Sequence, residues 1–234
     1  MYIEEKTPEL RCLESNLSLI EKGLVFDTFG NASLRQKQNC FIKPSGINLN
    51  ICTEADISKV RIVDGERVKG KTPSSDTPTH LTIYRTYNDI GGITHTHSLY
   101  ATAWAQAAKP ISCLGTTHAD YWKGEIPVTR ELTVDEINGE YELETGKVIV
   151  ETIKELRVDP LECPGILVAH HGPFTWGKTV EEAVKNAERL EYIAKLAWMT
   201  LQIKPQVPHI SSELHHRHFS RKQGPYSYYG QKNS

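Results

Sequence analysis

Leu10, Leu13, Leu17 and Ile20 recur at helical spacing before Gly23, which predicts a helix from Leu10 to Lys22 with glycine as its stop. Cys40-Phe41-Ile42 reads as a short strand entering the turn Pro44-Ser45-Gly46. Val60 to Val63 and Arg67-Val68 flank Asp64-Gly65, a hairpin signal. Thr77-Pro78 has the form of an N-cap followed by proline at the first helical position, so a helix is expected as far as Tyr87, closed by Gly91-Gly92. Ile93 to Ser98 predicts a strand, Ala101 to Ala108 a helix, and Gly165 to Ala169 a buried strand. Thr179-Val180-Glu181-Glu182 matches a capping box. It opens the longest helix, whose apolar stripe is Val180, Ala183, Val184, Ala187, Leu190, Ile193, Ala194 and Ala197.

Strands and helices interleave, with hairpin character in the first third. The fold class expected is α/β: a single layered domain over residues 1–234, with a mixed or antiparallel central sheet flanked by helices. Residues 205–234 are polar and rich in His and Tyr, and are expected to wrap the surface or reach a neighbouring subunit.

Composition removes several classes. With 38% apolar and 24% charged residues, the chain suits a globular protein large enough to fold without disulfides or a structural metal. A formal charge of −2 gives no global field for nucleic acid or anionic membrane. The five cysteines are odd in number and form no CxxC, so free thiols in a reducing compartment are expected. The N-terminal run lacks a basic segment and an apolar core, and no apolar stretch approaches about 20 residues. A cytoplasmic location is the expectation.

The candidate chemistry begins at His95-Thr96-His97. On a strand, residues i and i+2 share a face about 6.6 Å apart, close enough for two imidazoles to meet one ion. His171 sits at the end of another strand before Gly172, and Asp76 at a helix start after Ser74-Ser75. Three histidines and a carboxylate suit zinc, with manganese or cobalt as substitutes. Of the remaining histidines, His80 is expected on a helix surface and His209, His215 and His216 in solvent. His118 and His170 are candidates to support the ligands, and His218 to contact substrate.

Three turns, Gly30-Asn31, Pro44-Ser45-Gly46 and Pro73-Ser74-Ser75, offer amides and hydroxyls to a phosphate, with Lys43 beside the second. Each alone is an ordinary turn. No GxGxxG or Walker pattern occurs, so a nucleotide cofactor is not indicated.

Taken together, several runs resemble the class II aldolase/epimerase family, and within it the L-ribulose-5-phosphate 4-epimerases. They are Lys43 to Gly46, Pro73 to His80, Gly91 to Ser98, Gly115 to Tyr121, Glu136 to Tyr141, His171 to Phe174 and Tyr228 to Gln231, so the likeness spans nearly everything after Asn31. The resemblance implies a homotetramer with active sites between subunits and a sugar phosphate as substrate. It implies Asp76, His95, His97 and His171 as zinc ligands, His171 being the histidine directly before the glycine. Substrate and phosphate contacts are implied at Gly30, Asn31, Ser45, Gly46, Ser74 and Ser75, and Lys43, Thr116 and His218 are expected to join them. Asp120 and Tyr229 are implied as the acid/base pair, Tyr229 coming from the neighbouring subunit. Two readings compete. One is a fuculose- or rhamnulose-phosphate aldolase, whose pattern carries Glu where this chain has Asp76. The other is a non-catalytic aldolase-like binding module, in which ligands would be lost.

Overall fold

Thr7 caps the first helix, α1 (Pro8–Glu21), by accepting the Leu10 N–H at 3.1 Å, and the helix buries Cys12, Leu13 and Leu19 against a sheet. This computed structural model describes residues 6–223. The strands are β1 (Asn31–Gln36), β2 (Asn39–Ile42), β3 (Ser58–Arg61), β4 (Arg67–Lys69), β5 (Gly92–His95), β6 (Gly165–Val168) and β7 (Gly172–Gly177). They form one sheet in the order β4-β3-β2-β1-β5-β7-β6, and every paired neighbour is antiparallel. The helices after α1 are α2 (Thr77–Thr86), α3 (Leu99–Gln106), α4 (Thr116–Ala119), α5 (Val134–Asn138), α6 (Tyr141–Leu156), α7 (Val180–Ile203) and α8 (Ser212–Lys222).

Alternation along the strands divides the core. On β1, Ala32 and Leu34 pack with Phe41 of β2 against α1 and the start of α7. Ser33 points the other way, where its Oγ meets His80 Nδ1 at 2.7 Å and Tyr84 Oη at 2.9 Å on α2. Ile93, Phe174 and Trp176 carry the second cluster toward α2 and α6. Gly146 lets α6 lie on α2: a Cβ there would stand 2.8 Å from Thr82 Cβ. No helix of the described residues is long and apolar enough to cross a membrane.

Several expectations shift. The sheet takes the antiparallel form of the two arrangements expected, with one isolated parallel bridge, Val128 to Leu167, beside β6. The strand expected over Ile93 to Ser98 ends at His95, which puts His97 in the following loop. The N-cap of α2 is Asp76 rather than Thr77, and the Asp76 side chain makes no capping bond because it is engaged elsewhere. His80 is fully buried instead of lying on a helix surface, because Ser33, 47 residues away, supplies its partner. Thr179 caps α7 as expected, but the Glu182 carboxylate accepts from Lys178 N, one residue before the position of a capping box. The stripe named for α7 is buried throughout. All five cysteines are free and buried. Residues 212–222 form α8, packed on α4 of the same chain with Phe219 buried. His215 is half-buried rather than solvated, with Nε2 3.0 Å from the Gly124 amide nitrogen.

Candidate metal centre

One row across the sheet builds the site. Asn31 opens β1, His95 closes β5 opposite it, and Phe174 of β7 lies opposite His95. The His95 ring stacks on Phe174, with centroids 4.2 Å apart and planes 18° from parallel. Its Nδ1 is 3.0 Å from the Pro173 carbonyl oxygen, which can only accept, so the ring's single proton belongs on Nδ1. That leaves the Nε2 lone pair facing outward. His97 folds back from the loop until its Nε2 is 3.1 Å from that of His95. His171 arrives from the β6–β7 turn, where His170 takes the left-handed conformation at φ 61° and brings the chain round. Gly172 is required beside it, since a Cβ would lie 2.8 Å from the Thr96 carbonyl oxygen.

One nitrogen from each of His95, His97 and His171 lies within 4.8 Å of the others. Burial, reinforced by His171 and His97, holds the His95 imidazole well below its usual pKa. Burial also lowers His97 and His171, with Asp76 opposing the shift at both. Three imidazoles with lowered pKa therefore gather one nitrogen each into a small common space. Tetrahedral zinc with Zn–N bonds of about 2.0–2.1 Å spaces its ligands about 3.3–3.4 Å apart, so the cluster fits such an ion after small ring adjustments. Tyr141 Oη, 3.3 Å from His171 Nδ1, faces that ring's other nitrogen.

Asp76 stands beside this group without belonging to it: Asn31 Nδ2 donates to Asp76 Oδ2 at 2.6 Å and to Ser74 Oγ at 3.2 Å. The Asn31 Oδ1 atom is buried and has no hydrogen-bond partner among the described residues. Two turns form the opposite wall. Ser45 N donates to Thr72 O at 2.9 Å and Ser74 N to Lys43 O at 3.0 Å, which clamps the turns side by side. The buried Lys43 amine donates to Thr28 O at 2.7 Å, and burial lowers its pKa despite Asp76 nearby. Gly30, at φ 87°, brings the preceding loop against His95, where a Cβ would sit 2.9 Å from its carbonyl oxygen.

The resulting cleft, about 480 Å³, is lined by Gly30, Asn31, Lys43, Ser45, Gly46, Ser74, Ser75 and Asp76 together with the three histidines. Sequence reading gave no role to Tyr141 and Glu142, which also line it; they open a helix far along the chain, and no spacing rule ties them to the histidines. Thr116, Asp120 and His218 lie apart, on and after α4 and on α8, and do not line this cleft. Asp120 is buried and held by its own chain: Arg221 donates from Nε and Nη2 at 3.0 Å each, with His218 Nδ1 at 3.0 Å and Lys222 Nζ at 3.1 Å. Burial raises its pKa, but the bonds from Arg221, Lys222 and His218 outweigh it and hold the carboxyl below its usual value. Tyr229 lies outside the described residues. His118 is buried away from the cleft, and the exposed His170 pairs with Glu131 at 3.0 Å. His209 and His216 are exposed as expected.

Residues 11–198 match the Class II Aldolase and Adducin N-terminal domain family. Among solved structures, an L-fuculose 1-phosphate aldolase superposes with a TM-score of 0.76 at 24% identity, covering 92% of this chain and 95% of that one. YgbL from Escherichia coli, described as a putative aldolase/epimerase/decarboxylase, gives 0.71 at 25% identity over 89% and 96%. L-fuculose-1-phosphate aldolase from Thermus thermophilus gives 0.66 at 23% identity over 84% and 96%. These likenesses show the same fold over 84–92% of this chain.

Proposed function

The chain belongs to the Class II Aldolase and Adducin N-terminal domain family, and from that premise we propose that it is a divalent-metal-dependent enzyme interconverting L-ribulose 5-phosphate and D-xylulose 5-phosphate. The observation that carries the reading is the convergence of three imidazoles on one wall of a cleft whose other wall is the clamped pair of serine turns. The first wall suits a cation and the second an anion, and a phosphorylated sugar spans the two. Zinc, or manganese or cobalt in its place, would be held by His95, His97 and His171, with Asp76, now bonded to Asn31 beside them, as the carboxylate our reading adds to the set, and when bound supplies Lewis-acid polarisation of the substrate's oxygens.

The chemistry of the substrate dictates the rest. The hydrogen on C4 of a 2-ketopentose phosphate is β to the carbonyl and is not acidic, so inversion needs the C3–C4 bond to break. Removing the C4 hydroxyl proton sends the bonding electrons toward C2 and releases glycolaldehyde phosphate. The aldehyde turns, C3 re-attacks its other face, and the new C4 oxygen takes a proton from the opposite side. Two acid/base groups on opposite sides are required. Asp120 and Tyr229 are our assignment for them. Asp120 does not line the histidine cleft of its own chain, which supports an assembly, a homotetramer in our reading, with the pair reaching a neighbour's cleft. Asn31 Oδ1 and the Ser75 and Gly46 turns are assigned to substrate hydroxyls and phosphate.

A second reading has a specific observation in its favour: fuculose-phosphate aldolases are among the similar structures. An aldolase would release its fragments, whereas an epimerase must retain them. Incubation with L-ribulose 5-phosphate should give D-xylulose 5-phosphate in a coupled assay. Stoichiometric cleavage of L-fuculose 1-phosphate with no pentose interconversion would replace the epimerase by the aldolase. Inertness toward both in the zinc-loaded protein would leave a binding module.

A further inference from the structure

We propose that Glu191 is a positioning residue for the metal centre, fixing His97 relative to His171 by pinning the head of α3; the inference rests on the metal reading above. Helix α3 has eight residues and begins two positions after His97. Its N-cap, Ser98, makes no side-chain capping bond. The cap comes instead from the middle of α7, 91 residues later. Glu191 Oε1 accepts from Tyr100 N and Oε2 from Ala101 N, each at 2.9 Å. A carboxylate spanning two successive amides satisfies two unpaired donors and faces the positive end of the helix. Each of those charge-assisted bonds is about twice as strong as the neutral bond a serine hydroxyl would make.

Helix α3 links the two histidine segments. At its foot, the Ala105 carbonyl accepts from His170 N at 2.8 Å, and the Gln106 carbonyl lies 3.2 Å from His170 Nδ1. His170 immediately precedes His171. One metal-site histidine therefore adjoins the head of the helix, and another adjoins the residue clamped to its foot. Trp104 Nε1, donating to the Ala194 carbonyl at 3.1 Å, ties the same helix to α7 partway along. His95 needs none of this, because β5, Pro173 and Phe174 already hold it. His97 lies beyond the strand, between Thr96, whose N donates to the Pro173 carbonyl at 3.3 Å, and the head of α3, so on its C-terminal side its backbone is fixed as well as that helix end is fixed. Removing the Glu191 carboxylate should let that turn fray and make one of three imidazoles a poorly placed ligand.

The test uses the full chain, wild type beside Glu191→Ala and Glu191→Gln, with Thr179→Ala as a control that removes an ordinary N-cap from α7. Zinc affinity is measured by competition with a chromophoric chelator, and the cobalt-substituted proteins are compared by visible absorption. Glu191→Ala should bind zinc about ten- to a hundredfold more weakly and shift the cobalt bands. Glu191→Gln, which keeps one acceptor oxygen, should fall between it and the wild type and decides the matter should the alanine variant fail to fold. Thr179→Ala should lose thermal stability with zinc affinity unchanged. Folded Glu191 variants with wild-type zinc affinity and cobalt spectrum would reduce Glu191 to a stabilising cap and overturn the inference. A wild-type protein that binds no zinc would overturn the metal reading itself, a separate outcome.

Discussion

Asn31 Nδ2 lies 2.6 Å from Asp76 Oδ2, joining the first residue of β1 to the residue that caps α2. The same amide nitrogen reaches Ser74 Oγ, so one side chain fixes both the carboxylate beside the imidazoles and the serine turn. Asn31→Ala should therefore damage binding and turnover together, raising KM for the phosphorylated pentose and lowering kcat, with kcat/KM down about a hundredfold. Steady-state kinetics check this. A rise in KM with kcat intact would confine Asn31 to phosphate binding.

Ser75 provides the contrast. It is exposed on the turn and lines the cleft. Ser75→Ala should raise KM for the sugar phosphate about tenfold while stability stays within about 0.5 kcal/mol of wild type. The unphosphorylated sugar should be a poor substrate for wild type and equally poor for the variant. Equal loss on both sugars would remove Ser75 from phosphate recognition.

Acid should destabilise the protein through histidines outside the cleft. Burial lowers His80 to about 3 and His118 to about 4. Both stay neutral in the folded chain at pH values where the unfolded chain protonates them. Their contribution is fully present above about pH 6.5 and is lost as pH falls toward those values, at about 1.4 kcal/mol per pH unit per group. Among the described residues no group lies in full hydrogen-bonding geometry to either ring nitrogen of His118, although the Gly124 and Ser112 backbone is close enough to oppose part of the lowering. Phenylalanine therefore removes the titrating group and gives up only those weak contacts. Urea melts of His118→Phe from pH 7 to pH 4 should show a shallower acid decline than wild type. Parallel declines would mean that His118 is not buried neutral.

What the sequence disclosed follows from where the deciding interactions lie. The α7 stripe was legible because eight apolar positions within one helix repeat at its own period, and all eight are buried. The hairpin β3–β4 announced itself through Asp64-Gly65. Helix α6 did not: its Val148, Ile149 and Val150 are β-branched, and what makes the segment a helix partner is Gly146 meeting Thr79 and Thr82 of α2. Strand β1 carries Asn31 and Ser33 on an inward face, so no apolar alternation marked it. The same logic governs the site. The local motifs around His95 and Ser74 were readable, whereas Tyr141 and Glu191 act through contacts 30 to 91 residues distant.

Metal removal should separate fold from function. The histidines are held by β5, by the β6–β7 turn and by α3 through bonds between protein groups: the β5–β7 pairing, His170 N to Ala105 O, and Glu191 on the head of α3. Prolonged chelation should abolish turnover while the far-ultraviolet circular dichroism stays unchanged, and zinc, manganese or cobalt should restore activity. Full activity in metal-free protein would exclude the proposed chemistry.

Asp120 and Tyr229 offer the sharpest test, and α8 dictates its design. Asp120 is absent from the lining of its own chain's cleft, and Arg221 and Lys222 of α8 grip its carboxylate just before the chain continues toward Tyr229. Both groups should therefore reach a neighbour's histidine cleft on a single arm. Tyr229→Phe removes only a hydroxyl, so turnover should fall while zinc content survives. His97→Asn weakens the metal site of its own chain and leaves its arm intact. Equal amounts of these two variants, unfolded and refolded together, should pair an intact cleft with an intact arm at about a quarter of the interfaces, and activity should return in proportion. Mixing Asp120→Asn with Tyr229→Phe should restore nothing, because every arm then carries a lesion. Recovery in the second mixture would place the two residues in different subunits. Mixed oligomers that stay inactive in the first would show that cleft and arm belong to one chain, and the shared site would have to be abandoned.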